Sequence, residues 1–230
     1  MAHKTKIDKL RELQGVPREQ PQHAVNNPQA ATAPHKQLAH YQQAMASDMA
    51  ALKALNTVPE KIAAKKTMLA SYVDFVDEYT TQGHNYPNDV AVNVMVWCID
   101  CGDIARGLNL GLLLIDQGQK LPTWYTSTMP TFLCDNLYDW ANALYKANQA
   151  PGAVKQSPSP YLDVLCTHIK NDGWDLNTVV SSKCFALLAK FKFEFGEYQS
   201  CLSLCDLAKK YNPERAGVKK LREMALAKIN

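Results

Sequence analysis

Residues 88–118 hold two apolar runs separated by one Gly102-Asp103 pair, and this arrangement restricts the fold more than any other part of the chain. Val90, Val92, Val94 and Val96 alternate, which on period alone suits a strand. The run then continues through Trp97, Cys98 and Ile99 without alternation. It is bracketed by an Asn88-Asp89 cap and by the Gly102-Asp103 turn. Together these features predict a buried helix, a tight turn, and a second helix over 104–117 that Gly118 terminates. A hairpin of this kind predicts an all-α protein. The 10 glycines among 230 residues agree, being few for an all-β chain built on tight turns.

The flanking sequence extends the pattern. Residues 15–36 carry Pro17, Pro21, Pro28 and Pro34 with almost nothing large and apolar, and read as a flexible linker. Residues 4–14 predict one short basic helix before it. From residue 37, Leu38, Tyr41, Met45, Met49, Leu52 and Leu55 recur every three or four positions and mark one helical stripe. Thr57 and Glu60 form a capping box with Pro59 in the first turn. A second helix follows with Ile62, Leu69, Tyr72, Val73, Val76 and Tyr79 inward, ending at residues 83–87. The expected organisation is a basic arm and linker over 1–36, an αα-hairpin over 37–83, and a helical bundle over 84–230. In the bundle, helices are predicted over 131–149, from the Ser159-Pro160 cap to about 173, over 179–195, over 197–211 and over 214–229.

The stretch from Phe195 to Pro213 resembles the second half of a tetratricopeptide repeat. Gly196 takes the tight turn, Tyr198 and Leu202 pack back on the preceding helix, and Ala208 permits close approach. Residues 102–108 form a weaker copy. Two copies about a hundred residues apart make no solenoid, so the bundle is TPR-like in packing only. Such packing serves either a peptide groove or the core alone.

Charge is unevenly placed. Residues 1–47 hold six bases against three acids, residues 79–182 five against nine, and residues 183–230 ten against five. Basic ends around an acidic middle suit a chain that meets a polyanion with one region and a protein with another. No secretory signal or membrane-crossing run is read, and no membrane is expected among its partners. The seven cysteines have mostly apolar neighbours, which suits buried reduced thiols.

Residues 88–108 also carry a specific likeness. Asp89, Met95, Trp97, Asp100, Gly102, Asp103, Ile104 and Leu108 fill the pattern D-x5-M-x-W-x2-D-x-G-D-I-x3-L. This pattern resembles the small terminase subunit of tailed temperate phages, the M-type packaging protein. The hairpin from Tyr41 to residues 62–66 and the segment 216–220 are similar as well. The resemblance implies a subunit that recognises cohesive-end (cos) phage DNA and assembles as a homo-oligomer, a ring being one such arrangement. It implies delivery of double-stranded DNA to a large terminase subunit carrying ATPase and nuclease, in the cytoplasm of the bacterial host. Family descriptions credit such proteins with directing or performing cos cleavage. Cys98 and Cys101 depart from the family pattern.

The residues themselves predict no catalytic centre and no cofactor. There is no Asp/Glu-x-Lys pair of the kind nucleases use, and no Gly-rich loop followed by Lys-Ser/Thr for a nucleotide. Asp100 and Asp103 read as turn caps. Cys98/Cys101 and Cys201/Cys205 have the spacing of zinc ligands but no histidine nearby in sequence, so no metal is expected. Cleavage is therefore expected to act through the partner. DNA contact is assigned to Lys4, Lys6, Lys9 and Arg11 in the arm and to Lys53, Lys61, Lys65 and Lys66 on the hairpin, all through phosphates.

Overall fold

The computed structural model describes residues 28–229, with side chains from Lys36 onward. The basic segment 4–14, with Lys4, Lys6, Lys9 and Arg11, lies outside the described residues. The described residues form ten α-helices and no strand, as expected of an all-α chain. The chain divides into two compact units between Ala39 and His40. The first contributes only the opening turns of α1 (Pro28–Lys53) to the described residues. Residues 28–36, expected as linker, are helical. Pro28 takes the first helical position, where its missing N–H is no loss, and the alanines at 30, 31 and 33 favour helix.

The second unit begins with the rest of α1, in which Met45 and Leu52 are buried. The capping box expected at Thr57 is present: Glu60 N–H donates to Thr57 Oγ1, and Glu60 Oε2 accepts from the Thr57 amide at 2.9 Å. The helix it starts, α2 (Val58–Leu69), is shorter than expected and buries no residue. The predicted single helix breaks over residues 70–72 and restarts as α3 (Val73–Thr81). Burial explains the break. Tyr72, fully buried at the break, donates its hydroxyl to Asp48 at 2.7 Å and sets its ring edge-on to Trp97. The turn lets α3 bury Phe75, Val76 and Tyr79, whereas a straight helix would have kept α2's exposed register. Phe75, absent from the predicted stripe, stacks on Tyr41 at 4.4 Å.

The expected hairpin follows as α4 (Asp89–Asp100) and α5 (Ile104–Asp116). Every residue from 90 to 99 is buried, so the valine alternation reports a helix covered on all sides and not a strand. Asn88 caps α4 by accepting from the Ala91 amide at 3.0 Å. At the turn, Gly102 has φ +83°, its N–H donates to Ile99 O, and the Asp103 N–H donates to Cys98 O at 2.9 Å. This is a Schellman end, with Asp103 serving at once as the cap of α5 through the Arg106 amide. Two small residues then set the helix separations. A Cβ on Gly107 would stand 2.5 Å from Ile99 Cγ1 and 3.3 Å from the Ile99 backbone nitrogen. A Cβ on Gly111 would stand 2.8 Å from both Leu133 methyls of α6 (Met129–Asn148).

The remaining helices are α7 (Tyr161–Asn171), α8 (Thr178–Glu194), α9 (Tyr198–Tyr211) and α10 (Lys219–Ile229). Pro160, not Ser159, occupies the cap of α7, and the Ser159 hydroxyl donates to Asp163 instead. The α8–α9 turn repeats the hydrogen-bond pattern of the α4–α5 turn: Gly196 has φ +77°, Gly196 N–H donates to Phe193 O, and Glu197 N–H donates to Lys192 O. Ser182 donates to Ala208 O at 2.9 Å, with Ala208 fully buried, so these helices approach closely. The last helix starts five residues later than expected. Asn212 holds a turn by accepting from the Arg215 amide, and Gly217 at φ +68° cannot continue a helix.

Gly107→Ala tests the closest of these approaches. Helix propensity favours Ala by about 1 kcal/mol, while overpacking costs about 1–3 kcal/mol. The variant is expected to lower the unfolding free energy in urea by a net of up to about 2 kcal/mol with an unchanged slope. Asn109→Ala, at an exposed position of the same helix, should leave the unfolding free energy within about 0.5 kcal/mol.

Candidate nucleic-acid interface

No residue of α2 is fully buried, and half of its residues are exposed. Lys53 at the end of α1 and Lys66 on α2 are exposed, and Lys61 is half-buried. No ion pair is formed by these three among the described residues. Lys65 differs. Its ammonium lies 2.6 Å from Asp100 Oδ2 at the end of α4, with side-chain exposures of 19% and 34%. Cys101 adds a second tie, donating its thiol weakly to Ile62 O at 3.7 Å. Three of the four expected hairpin lysines therefore have no carboxylate partner among the described residues, and the fourth is paired within the molecule.

The pattern residues of α4 and α5 all do structural work. Met95, Trp97, Ile104 and Leu108 are core. Asp89 accepts from Gln42 Nε2 at 2.7 Å, tying α4 to α1. Asp103 is the cap expected of it and also faces Arg106, whose guanidinium bonds Asp77 of α3 at 3.2 Å. Asp100 is not a cap: it closes α4 and pairs with Lys65. The partner stands 35 residues away, and no local spacing could have revealed it. Tyr198 meets Phe193 edge-on across the Gly196 turn.

The cysteines have the chemistry of core residues. Burial first, then the Asp103 carboxylate, pushes the Cys98 thiol up to about 12. Burial likewise raises Cys205 to about 12 and lifts Cys101, Cys166 and Cys201. A thiol held protonated is a poor nucleophile and a poor metal ligand. No three His, Cys, Asp or Glu side chains are grouped to hold a metal ion among the described residues. No described helix is long and apolar enough to cross a membrane.

The Lys65–Asp100 pair can be measured directly. Lys65→Met and Asp100→Asn, singly and together, should give a coupling energy of about 1 kcal/mol or less, since both groups keep partial contact with water. A coupling indistinguishable from zero would mean that the pair contributes nothing to docking α2.

Comparison with known proteins agrees with the pattern in α4 and α5. The family model of the phage small terminase subunit matches residues 42–177. A probable terminase, endonuclease subunit, of Haemophilus phage HP1 (strain HP1c1) is 29% identical over 217 residues, covering 88% of this chain and 74% of that protein. A terminase, endonuclease subunit, of Escherichia phage P2 is 28% identical over 129 residues, covering 55% and 51%. No solved structure matches the chain. With the matched region running from α1 to the cap of α8 and enclosing the whole signature hairpin, the chain belongs to the phage small terminase subunit family and has its role in phage DNA packaging.

Proposed function

We propose that this chain is the DNA-recognising small subunit of a packaging terminase, working in the cytoplasm of the bacterial host. It binds double-stranded phage DNA at the cohesive-end site, assembles with copies of itself, and delivers the DNA to a large subunit that supplies ATPase and nuclease. The observation that carries this reading is the family match across the signature hairpin. The charge of α2 supports it: Lys61 and Lys66 on this helix, and Lys53 at the end of α1, have no carboxylate partner among the described residues. Lys4, Lys6, Lys9 and Arg11 add to the same phosphate contacts in this reading, and Lys65 contributes least. The hairpin region serves DNA contact and self-association, and residues 84–230 dock the large subunit. A modest patch gains affinity when an oligomer repeats it.

The names of the two relatives favour a second reading, an endonuclease in its own right. Against it, Asp89, Asp100 and Asp103 are each engaged in helix packing, capping or an ion pair. The first reading has cleavage performed by the partner.

Binding to cohesive-end DNA should weaken steeply with salt. Lys53→Ala/Lys61→Ala/Lys66→Ala should lower the slope of log affinity against log salt by about 0.9 for each phosphate that is no longer neutralised. Binding indifferent to salt and to these substitutions would overturn the DNA reading. Incubating plasmid carrying the cohesive-end site with Mg²⁺ and this protein alone should give no nicking; nicking abolished by carboxylate substitutions would establish the second reading. Sedimentation should give a species heavier than the 25.7 kDa protomer.

A further inference from the structure

The C-terminal helices carry a second concentration of positive charge that the hairpin reading does not use. Along the seam of α6 and α8, two lysines and two tyrosines face each other at matched intervals. Lys183 Nζ lies 4.5 Å from the Tyr138 ring centroid, and Lys190 Nζ lies 5.6 Å from that of Tyr145. Each pair of like residues is seven apart, two helical turns, so the ammonium groups are separated by roughly 10 Å along the axis. That is about the axial advance of three phosphates along one DNA strand.

The two lysines line an open groove of about 190 Å³ whose other wall is the Asn212 turn, with Arg215 and Gly217. The positive φ of Gly217 ends this turn and starts α10, which opens with exposed Lys219 and Lys220. Lys209 and Lys210 close α9 just before the turn and are exposed as well. Residues 209–220 thus hold five bases against the single acid Glu214.

Charge pairing sorts these cations by task. Lys183 is held by Asp135 at 2.7 Å and anchors the seam. Lys190, Lys209, Lys210, Arg215, Lys219 and Lys220 form no ion pair among the described residues. Elsewhere in the C-terminal helices, Lys192 and Arg222 are tied to carboxylates. Of these unpaired bases Lys190 and Arg215 line the groove, and Lys209, Lys210, Lys219 and Lys220 flank its 212–217 turn in the chain. Five bases against one acid over residues 209–220, beside the unpaired Lys190, favour a polyanion such as the phosphate backbone of a duplex.

We infer that the groove between α8 and the 212–217 turn, lined by Lys190 and Arg215 and followed in the chain by exposed Lys219, is a second phosphate-contacting surface for double-stranded DNA. The inference rests on the DNA-binding reading above and assigns it a surface in the C-terminal helices, apart in sequence from the hairpin. Packaged DNA would then touch each protomer at two places.

The test uses the full chain and a labelled random-sequence duplex, followed by fluorescence anisotropy across a salt series. Lys190→Ala/Arg215→Ala/Lys219→Ala should lower the salt slope by about 2–3 and weaken binding about tenfold or more at moderate salt. The loss should add to that of the hairpin triple variant, because the two groups are separate. Circular dichroism melting of each variant establishes that the fold is retained. A wild-type slope in the C-terminal variant, together with a reduced slope in the hairpin variant, overturns this inference and leaves the DNA reading standing. Unchanged DNA binding with weakened binding of the large subunit identifies the groove as a protein-docking surface and likewise overturns it. A wild-type protein that binds no duplex at all removes the DNA reading and this inference with it.

Discussion

The first half of the second unit is arranged around one helix that has no solvent-facing side. Burying α4 from residue 90 to residue 99 demands neighbours on all sides. Its backbone is satisfied internally, so a covered helix costs little in unpaired polar groups, and its apolar side chains supply a large favourable term. The demand explains the local devices around it. Gly102 reverses the chain immediately so that α5 can lie alongside, and Gly107 removes the side chain that would hold the two helices apart. On other sides Tyr72 brings its ring to Trp97, and Asp89 takes a hydrogen bond from Gln42 of α1.

Much of this was legible in the residues. The buried helix, the Gly102 turn, the Thr57 capping box and the Gly196 turn are local rules, each carried by residues close together in the chain. Where expectation and structure part, a distant partner decides. The helix after the capping box breaks at residues 70–72 because Tyr72 must reach Asp48 and Trp97, which lie 24 and 25 residues away. Asp100 leaves its expected capping role because Lys65 lies within reach across the fold. Helical periodicity also could not separate α2 from α3: both continue one apolar stripe in sequence, yet only α3 buries it. The proline-rich start of α1 misled in the opposite sense, since a proline at the first helical position is compatible with helix.

The candidate site was less legible than the fold, for a physical reason. Apolar residues declare themselves by period, whereas the availability of a lysine depends on which carboxylate lies near it in space. Lys53, Lys61, Lys65 and Lys66 look alike in the sequence, and the fold withdraws one of them. The Lys–Tyr pairs of α6 and α8 were invisible for the same reason, being separated by 45 residues. The family pattern is therefore a packing pattern. Its aspartates hold helices together, and a substitution among them would reach DNA packaging through the shape of the protein.

The unburied state of α2 has a consequence for how the molecule opens. A helix with no fully buried residue, held by partial packing, an ion pair and a weak thiol hydrogen bond, opens locally at less cost than the covered α4 beneath it. Its amide protons exchange with solvent through such local openings, at a free-energy cost far below that of the whole domain. The amides of α4 have no such route and exchange only when the core comes apart. The lysine-bearing helix is thus the less protected layer of this half of the unit, and α4 the more protected one.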